Sequence, residues 1–234
     1  QGESLHDLLL KTLSHPNVCS RQALVCQYDH EVQARTVRKP YGSPHQASPG
    51  DGAGLRMSRK NHEGIAIGLG LAPYLAEFDP KLAAEMAVDE AIRNAIVAGI
   101  DPEHAAFIDN FCWPDPLPGP TNPDAEEKLG ALVLTAKAIY DAAIELKIHF
   151  ISGKDSMKND YRVGNIKISV PATILITTVG KIHDVRKIPY GYIPEVLCDE
   201  EAKILWVSGL ELRQSILDFN WLRSFYKKIH VLIC

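Results

Sequence analysis

The hydrophobic and polar positions divide the chain into a few clear segments. ESLHDLLLKTLS sets Leu5, Leu8, Leu9 and Leu13 near helical spacing and predicts a short amphipathic helix, which SRQALVCQYDHEV can follow with a second. The stretch from about Pro80 to Gly99 predicts a long helix. Asp79 can cap its start, Pro80 fits its first turn and Gly99 can end it. Another helix is predicted from about Asp124 to Leu146, with acidic residues in its first turn, where the helix dipole favours them. GIAIGLGLA reads as a buried strand whose small residues permit close packing, and HAAFIDN as a strand running into a polar loop. IHFISG is a short strand leading into a GKDS loop, and KISVPATILITTVGKI is strand-like with Pro171 marking a break or an edge. Residues 39–54, dense in Pro, Gly and Ser, read as a loop, and FCWPDPLPGPTNPD is too proline-rich to be regular.

This order of helices and strands predicts an α/β sandwich with helices over one sheet face, and no repeat of 20–50 residues is visible. After about Lys187 the texture changes, and EAKILWVSGL reads as the first strand of a new domain. The expected division is a helical lead-in over residues 1–14, one module over 15–187 and the start of a further domain over 188–234.

Composition narrows the function classes. The 234 residues are 46% hydrophobic and 23% charged, as in a soluble globular protein with a real core. A net charge of −4 gives no footprint for nucleic acid or an anionic membrane, and no apolar run reaches the length of a membrane span. Cys19, Cys26, Cys112, Cys198 and Cys234 form no CxxC pair, so neither a zinc site nor a disulfide framework is signalled, and a reducing cytoplasm is expected. Cys112 is the thiol set among other signals.

Four places put acids or small polar groups at the ends of predicted elements. In PGDGAG, Asp51 lies among glycines that let backbone N–H groups approach a metal or phosphate; the competing reading is an exposed turn. In DEAIRN, Glu90 and Asn94 lie one helical turn apart and suit a hard cation such as Mg2+, against the alternative of a solvated helix face beside Arg93. In FIDNFCW, Asp109 and Asn110 leave a strand end, where ligands gather in sheets flanked by helices. GKDS follows another strand, so Asp109 and Asp155 meet if the two strands are neighbours; it is not a phosphate-binding GxxxxGK[ST] loop, and a plain β-turn competes. His30, His62, His104, His149 and His183 are scattered, and His30 reads as a hydrogen-bonding residue before a catalytic one.

Taken in order, QYDHEVQARTVRKP, PGDGAGLR, DPKLAAEMAVDEAIRNAIVAGIDPEHAAFIDNFCW, FISGKDSMKND and VGKIHDVRK resemble phosphoribosylformylglycinamidine synthase over roughly residues 15–187. The resemblance is to the second aminoimidazole-ribonucleotide (AIR)-synthase-like N-terminal module of that family. It implies an α+β fold, a four-stranded mixed sheet backed by helices that pairs sheet to sheet with a partner module. It implies a cytoplasmic ligase of purine biosynthesis, converting formylglycinamide ribonucleotide to the amidine with ATP and glutamine. Carried over residue by residue, Asp51, Glu90 and Asn94 match the metal-binding set for Mg2+. Gly50, Asp109 and Gly153 match nucleotide-contacting positions for ATP or ADP, and Ser156 a substrate-contacting one. Lys154 stands where the short-chain branch carries Asn, and can act as a point-charge phosphate partner.

The family's SHNHP-type string and its glutaminase cysteine are not found here, and ELRQSILDFN replaces an ELGGS-like stretch. The chain is therefore expected to need the first module and a glutaminase domain or subunit as partners, and to be catalytically incomplete alone. Self-association through the sheet face is a further expectation. A structural or assembly module with a vestigial nucleotide site is the alternative, and a related thiamine-monophosphate or selenophosphate synthetase is disfavoured by FIDNFCWPDP and QYDHEVQ.

Overall fold

A computed structural model describes residues 3–42, 48–50, 52–164 and 166–188. The further domain expected over 188–234 lies, from 189 onwards, outside the described residues. In chain order the elements are α1 (Leu5–Ser14), α2 (Gln22–Val25), β1 (Thr36–Arg38), β2 (Tyr41–Gly42), β3 (Ser48–Pro49), β4 (Gly52–Arg56) and β5 (Gly64–Leu71). There follow α3 (Pro73–Ala76), α4 (Pro80–Val97), β6 (Ala105–Cys112), α5 (Ala125–Leu146), β7 (Phe150–Ser156), β8 (Asp160–Val163), β9 (Ile166–Ser169) and β10 (Thr173–Ile182).

The main sheet has six strands in the order β1-β4-β5-β10-β6-β7, which corrects the expected four. The difference lies at the β1–β4 end. β1 is only three residues long, and β4 begins inside the Pro-, Gly- and Ser-dense stretch that reads as a loop, so neither shows the apolar alternation that marks a strand in sequence. GKDS also proves to be strand, extending the expected IHFISG strand, and β6 runs on through Asp109 and Asn110 to Cys112. Only β6 and β7 pair in parallel, and α5 connects them; every other pairing in this sheet is antiparallel.

Both long helices cover one face. The Asp79 side chain accepts from the Leu82 N–H at 2.9 Å and fixes the start of α4. Along α4, Ala84, Ala87, Ala91 and Ala95 are wholly buried and present almost no side-chain bulk. The sheet answers with glycine: a β-carbon on Gly70 would lie 2.1 Å from the Ala87 carbonyl oxygen, and one on Gly68 2.3 Å from the Ala95 nitrogen. Helix backbone therefore rests directly on strand backbone. Phe107, Phe111, Ile174, Ile176 and Ile182 fill the core to either side.

On the opposite face, β5 and β10 mix apolar side chains with Thr173, Thr177 and Lys181. On β5 the residues alternating with the glycines include Leu69 and Leu71, 47% and 46% exposed, and on β10 Leu175 and Val179 occupy the same face, half-buried.

Candidate functional site

The sheet register decides which of the candidate residues can meet. Gly70 of β5, Ile176 of β10, Asp109 of β6 and Gly153 of β7 are successive partners across four strands, all on the helix-covered face. Asp109 and Gly153 are neighbours, and a β-carbon on Gly153 would stand 2.5 Å from an Asp109 carboxylate oxygen. Asp155, two residues along β7, shares that face. Burial, first, and the Asp155 charge push the Asp109 carboxyl above its ordinary value, while the Lys154 backbone N–H holds it down in part. Asp109 faces a groove of about 620 Å³ between α5 and the β6–β7 edge, walled by Ile139, Tyr140, Ala143, Ile144, His149 and Phe150.

Glu90 and Asn94 form a second pair. Among the described residues the β4–β5 register ends at Gly52 and Gly68. Glu90 accepts the Leu71 N–H at 2.9 Å, and the Asn94 amide donates to the Leu69 carbonyl at 2.8 Å. The two side chains thus take strand-like hydrogen bonds along that part of β5. Arg93 does not engage Glu90; it pairs with the buried Asp89. Asp51 lies outside the described residues. Its neighbours are placed: the Gly50 N–H donates to the Pro40 carbonyl at 2.7 Å, and a β-carbon on Gly52 would meet the Asn94 carbonyl oxygen at 2.9 Å.

These two pairs lie at different strands of the sheet. Gly70 and Asp109 are two strand spacings apart, roughly 10 Å, and Ile176 between them is fully buried. Ser156 points to the other side of the sheet with Lys154, its register partners being Cys112 and Asn110, and the Lys154 ammonium donates to the Ser156 hydroxyl. Asn159 stitches this end of β7 down by donating to the Ser156 carbonyl at 2.8 Å and to the Cys112 sulfur at 3.4 Å. His30 has the expected hydrogen-bonding role, its Nε2 lying 2.8 Å from the Val25 carbonyl.

The donor set at Glu90 and Asn94 fits a hard cation. An Asn amide that donates through nitrogen turns its carbonyl oxygen the other way, and the Glu carboxylate keeps a second oxygen beside the one that Leu71 uses. Mg2+ prefers such oxygen ligands and retains several waters.

The profile of the FGAR-AT PurM_N-like domain matches residues 20–181, well over half of the chain. The chain belongs to this family. This FGAR-AT PurM_N-like chain is 34% identical over 187 residues to the phosphoribosylformylglycinamidine synthase subunit PurL of Methanocaldococcus jannaschii, covering 80% of this chain and 23% of that protein. It thus spans about a quarter of the length of the curated relatives it matches. Among solved structures, PurLQS from Thermotoga maritima superposes with a TM-score of 0.58 at 22% identity, over 74% of this chain and 25% of that one. T. maritima PurL complexed with ADP superposes at 0.55 and 21% identity, over 76% and 26%. These neighbours establish the PurM-like N-terminal fold of the FGAR-AT PurM_N-like chain.

One grouping escaped the sequence. His104 and His183, far apart in the chain, both reach the Asp101 carboxylate, at 2.7 and 2.9 Å. Only the antiparallel pairing of β6 with β10 brings them together, and no local spacing announces it.

Proposed function

We propose that this chain is one module of a phosphoribosylformylglycinamidine synthase, a cytoplasmic ligase of purine biosynthesis. The reaction activates the amide oxygen of formylglycinamide ribonucleotide with ATP, and ammonia drawn from glutamine then displaces phosphate to form the amidine. Charge on the transferring phosphoryl group calls for a metal and fixed donors. Asp51, Glu90 and Asn94 hold Mg2+. Gly50, Asp109 and Gly153 contact nucleotide, and Ser156 contacts substrate from the open sheet face. On this reading residues 15–187 form the module, 1–14 lead into it, and 188–234 begin a further domain.

The observation that carries this reading is the Glu90–Asn94 pair, two oxygen-bearing side chains set side by side where the described β4–β5 register ends. Family membership and the ADP complex of the T. maritima neighbour support it. The Asp109 groove and the Glu90–Asn94 edge are two strands apart, and on this reading a first module and a glutaminase domain or subunit complete the enzyme. Calorimetry with Mg-ADP and Mg-ATP tests the reading: binding that requires Mg2+ and weakens in Glu90→Gln supports it, and binding indifferent to both overturns it. No amidine should form from the chain alone.

A second reading has its own support. Glu90 and Asn94 already satisfy two backbone groups of β5, which suits a structural module whose nucleotide site only stabilises or is vestigial. A thermal midpoint unmoved by saturating Mg-ADP favours the vestigial form of it, because a ligand of the native state raises stability.

A further inference from the structure

The cluster of Asp101, His104 and His183 lies at the far end of the β6–β10 pair from Asn110 and Ser156. Asp101 precedes β6 and His183 follows β10, where Ala105 and Gly180 are register partners. From Ala105 to Asn110 the strand climbs roughly 17 Å, so this cluster is separate from the residues assigned above.

Its construction is specific. Asp101 is 9% exposed, and its backbone N–H donates to the Lys181 carbonyl at 2.9 Å. One carboxylate oxygen accepts the Glu103 N–H at 2.9 Å. The other faces both imidazoles, His104 through Nδ1 and His183 through Nε2. The three ligand atoms lie within 4.8 Å of one another, and the rings stand edge to face with centroids 5.8 Å apart. The adjacent cation, Lys181, is neutralised by Glu63 at 2.7 Å.

We propose that Asp101, His104 and His183 form a binding site for a borderline transition-metal cation of the Zn2+ class. Two imidazole nitrogens and a carboxylate oxygen are the donors such ions prefer, whereas Mg2+ favours oxygen alone. Zinc–ligand bonds of about 2.0–2.1 Å put tetrahedral donors about 3.3 Å apart. Each ring therefore retreats from the carboxylate by a few tenths of an ångström, and both rings are more than half exposed and free to do so. The ion takes the place of the two shared hydrogens, His104 binding through Nδ1 and His183 through Nε2, with solvent on the fourth position. Bound there, it ties the start of β6 to the end of β10.

Titration of the full chain with ZnCl2 alone, followed by calorimetry, tests this, with MgCl2 as the control. His104→Gln and His183→Gln keep a donor for Asp101 while removing a ligand nitrogen, so they separate metal binding from the hydrogen bonds. The expected result is one Zn2+ per chain, bound at least about tenfold more weakly in each Gln variant, since even the outer partners of metal ligands are worth 10–100-fold. Co2+ should give a visible absorption band of tetrahedral type that the doubly substituted chain lacks. Equal Zn2+ affinity in the wild type and the double variant, or no binding in the wild type, overturns the proposal.

Discussion

Asp109 and Gly153 stand side by side on parallel strands, with a carboxylate oxygen of Asp109 2.5 Å from where a β-carbon on Gly153 would sit. Any side chain at 153 must displace that carboxylate. Gly153→Ala is therefore expected to destabilise the fold by about 0.5–1.5 kcal/mol, the cost of turning the Asp109 side chain off its rotamer. Asp109→Ala removes the obstacle, so the double variant should lose less than the sum of the two singles. Urea denaturation of the four proteins measures this coupling. Strict additivity would mean that the two residues do not compete for the same space.

The same carboxylate sets a pH dependence. Burial and the Asp155 charge raise the Asp109 pKa in the folded state. A carboxyl that holds its proton more tightly when folded adds stability below its unfolded pKa, about 3.9, and that contribution is lost as pH rises through the folded value. Ionised Asp109 therefore does not stabilise the neutral protein. Asp109→Asn should melt at or above the wild type at pH 7, with the difference shrinking towards pH 4. Lys147 and His149 line the same groove, so the series should be repeated in Asp155→Asn, where the Asp109 titration moves back towards the ordinary range. A thermal midpoint for Asp109→Asn well below the wild type at pH 7 would contradict this sign.

Glu90 combines a hydrogen bond with a charge, and two substitutions separate them. Glu90→Gln keeps an oxygen for the Leu71 N–H, whereas Glu90→Ala leaves that donor to solvent. Glu90→Ala should cost about 1 kcal/mol, the net value of one hydrogen bond at an exposed site, and Glu90→Gln much less. Both should weaken Mg-dependent nucleotide binding. Denaturation and calorimetry on the same preparations give the two readouts. A Gln variant that binds Mg-ADP as the wild type does would restrict Glu90 to its work on the β5 edge.

The central elements were legible in the sequence because their signals are local. Asp79, Pro80 and Gly99 bracket α4 within two residues of its observed end, and Pro171 separates β9 from β10. Glu90 and Asn94 were legible as a pair because helical spacing alone makes them neighbours. The β1–β4 end of the sheet was not, because β4 begins in the Pro-, Gly- and Ser-dense stretch that reads as a loop. β7 was legible as far as Gly153, whereas GKDS reads as a loop and only pairing with β6 keeps it extended. Periodicity also cannot reveal that Asp109 and Ser156 leave opposite faces, which follows only from the β6–β7 register. His104 and His183 were dispersed in sequence for the same reason: their meeting depends on a strand pairing, and a one-residue change in that register would send the side chains to opposite faces.

The open face of the sheet yields the last prediction. Leu69 and Leu71 alternate with Gly68 and Gly70, so the spacing that lets α4 sit on one face leaves leucines on the other. Leu175 and Val179 extend that surface across β10. A sheet face with exposed leucines of this kind marks an interaction surface, and on the function proposed above it takes a partner module sheet to sheet. Without that module, a second copy of the chain can supply a matching face through a two-fold arrangement. Sedimentation velocity should therefore show concentration-dependent association, and Leu69→Glu should shift the chain towards monomer while leaving the α4 side intact. Leu69 lies on the face opposite the α4 contact, so the variant's circular dichroism should match that of the wild type. Association that persists unchanged in Leu69→Glu would place the contact elsewhere, and the exposed leucines of α1, from Leu5 to Leu13, would be the next surface to substitute.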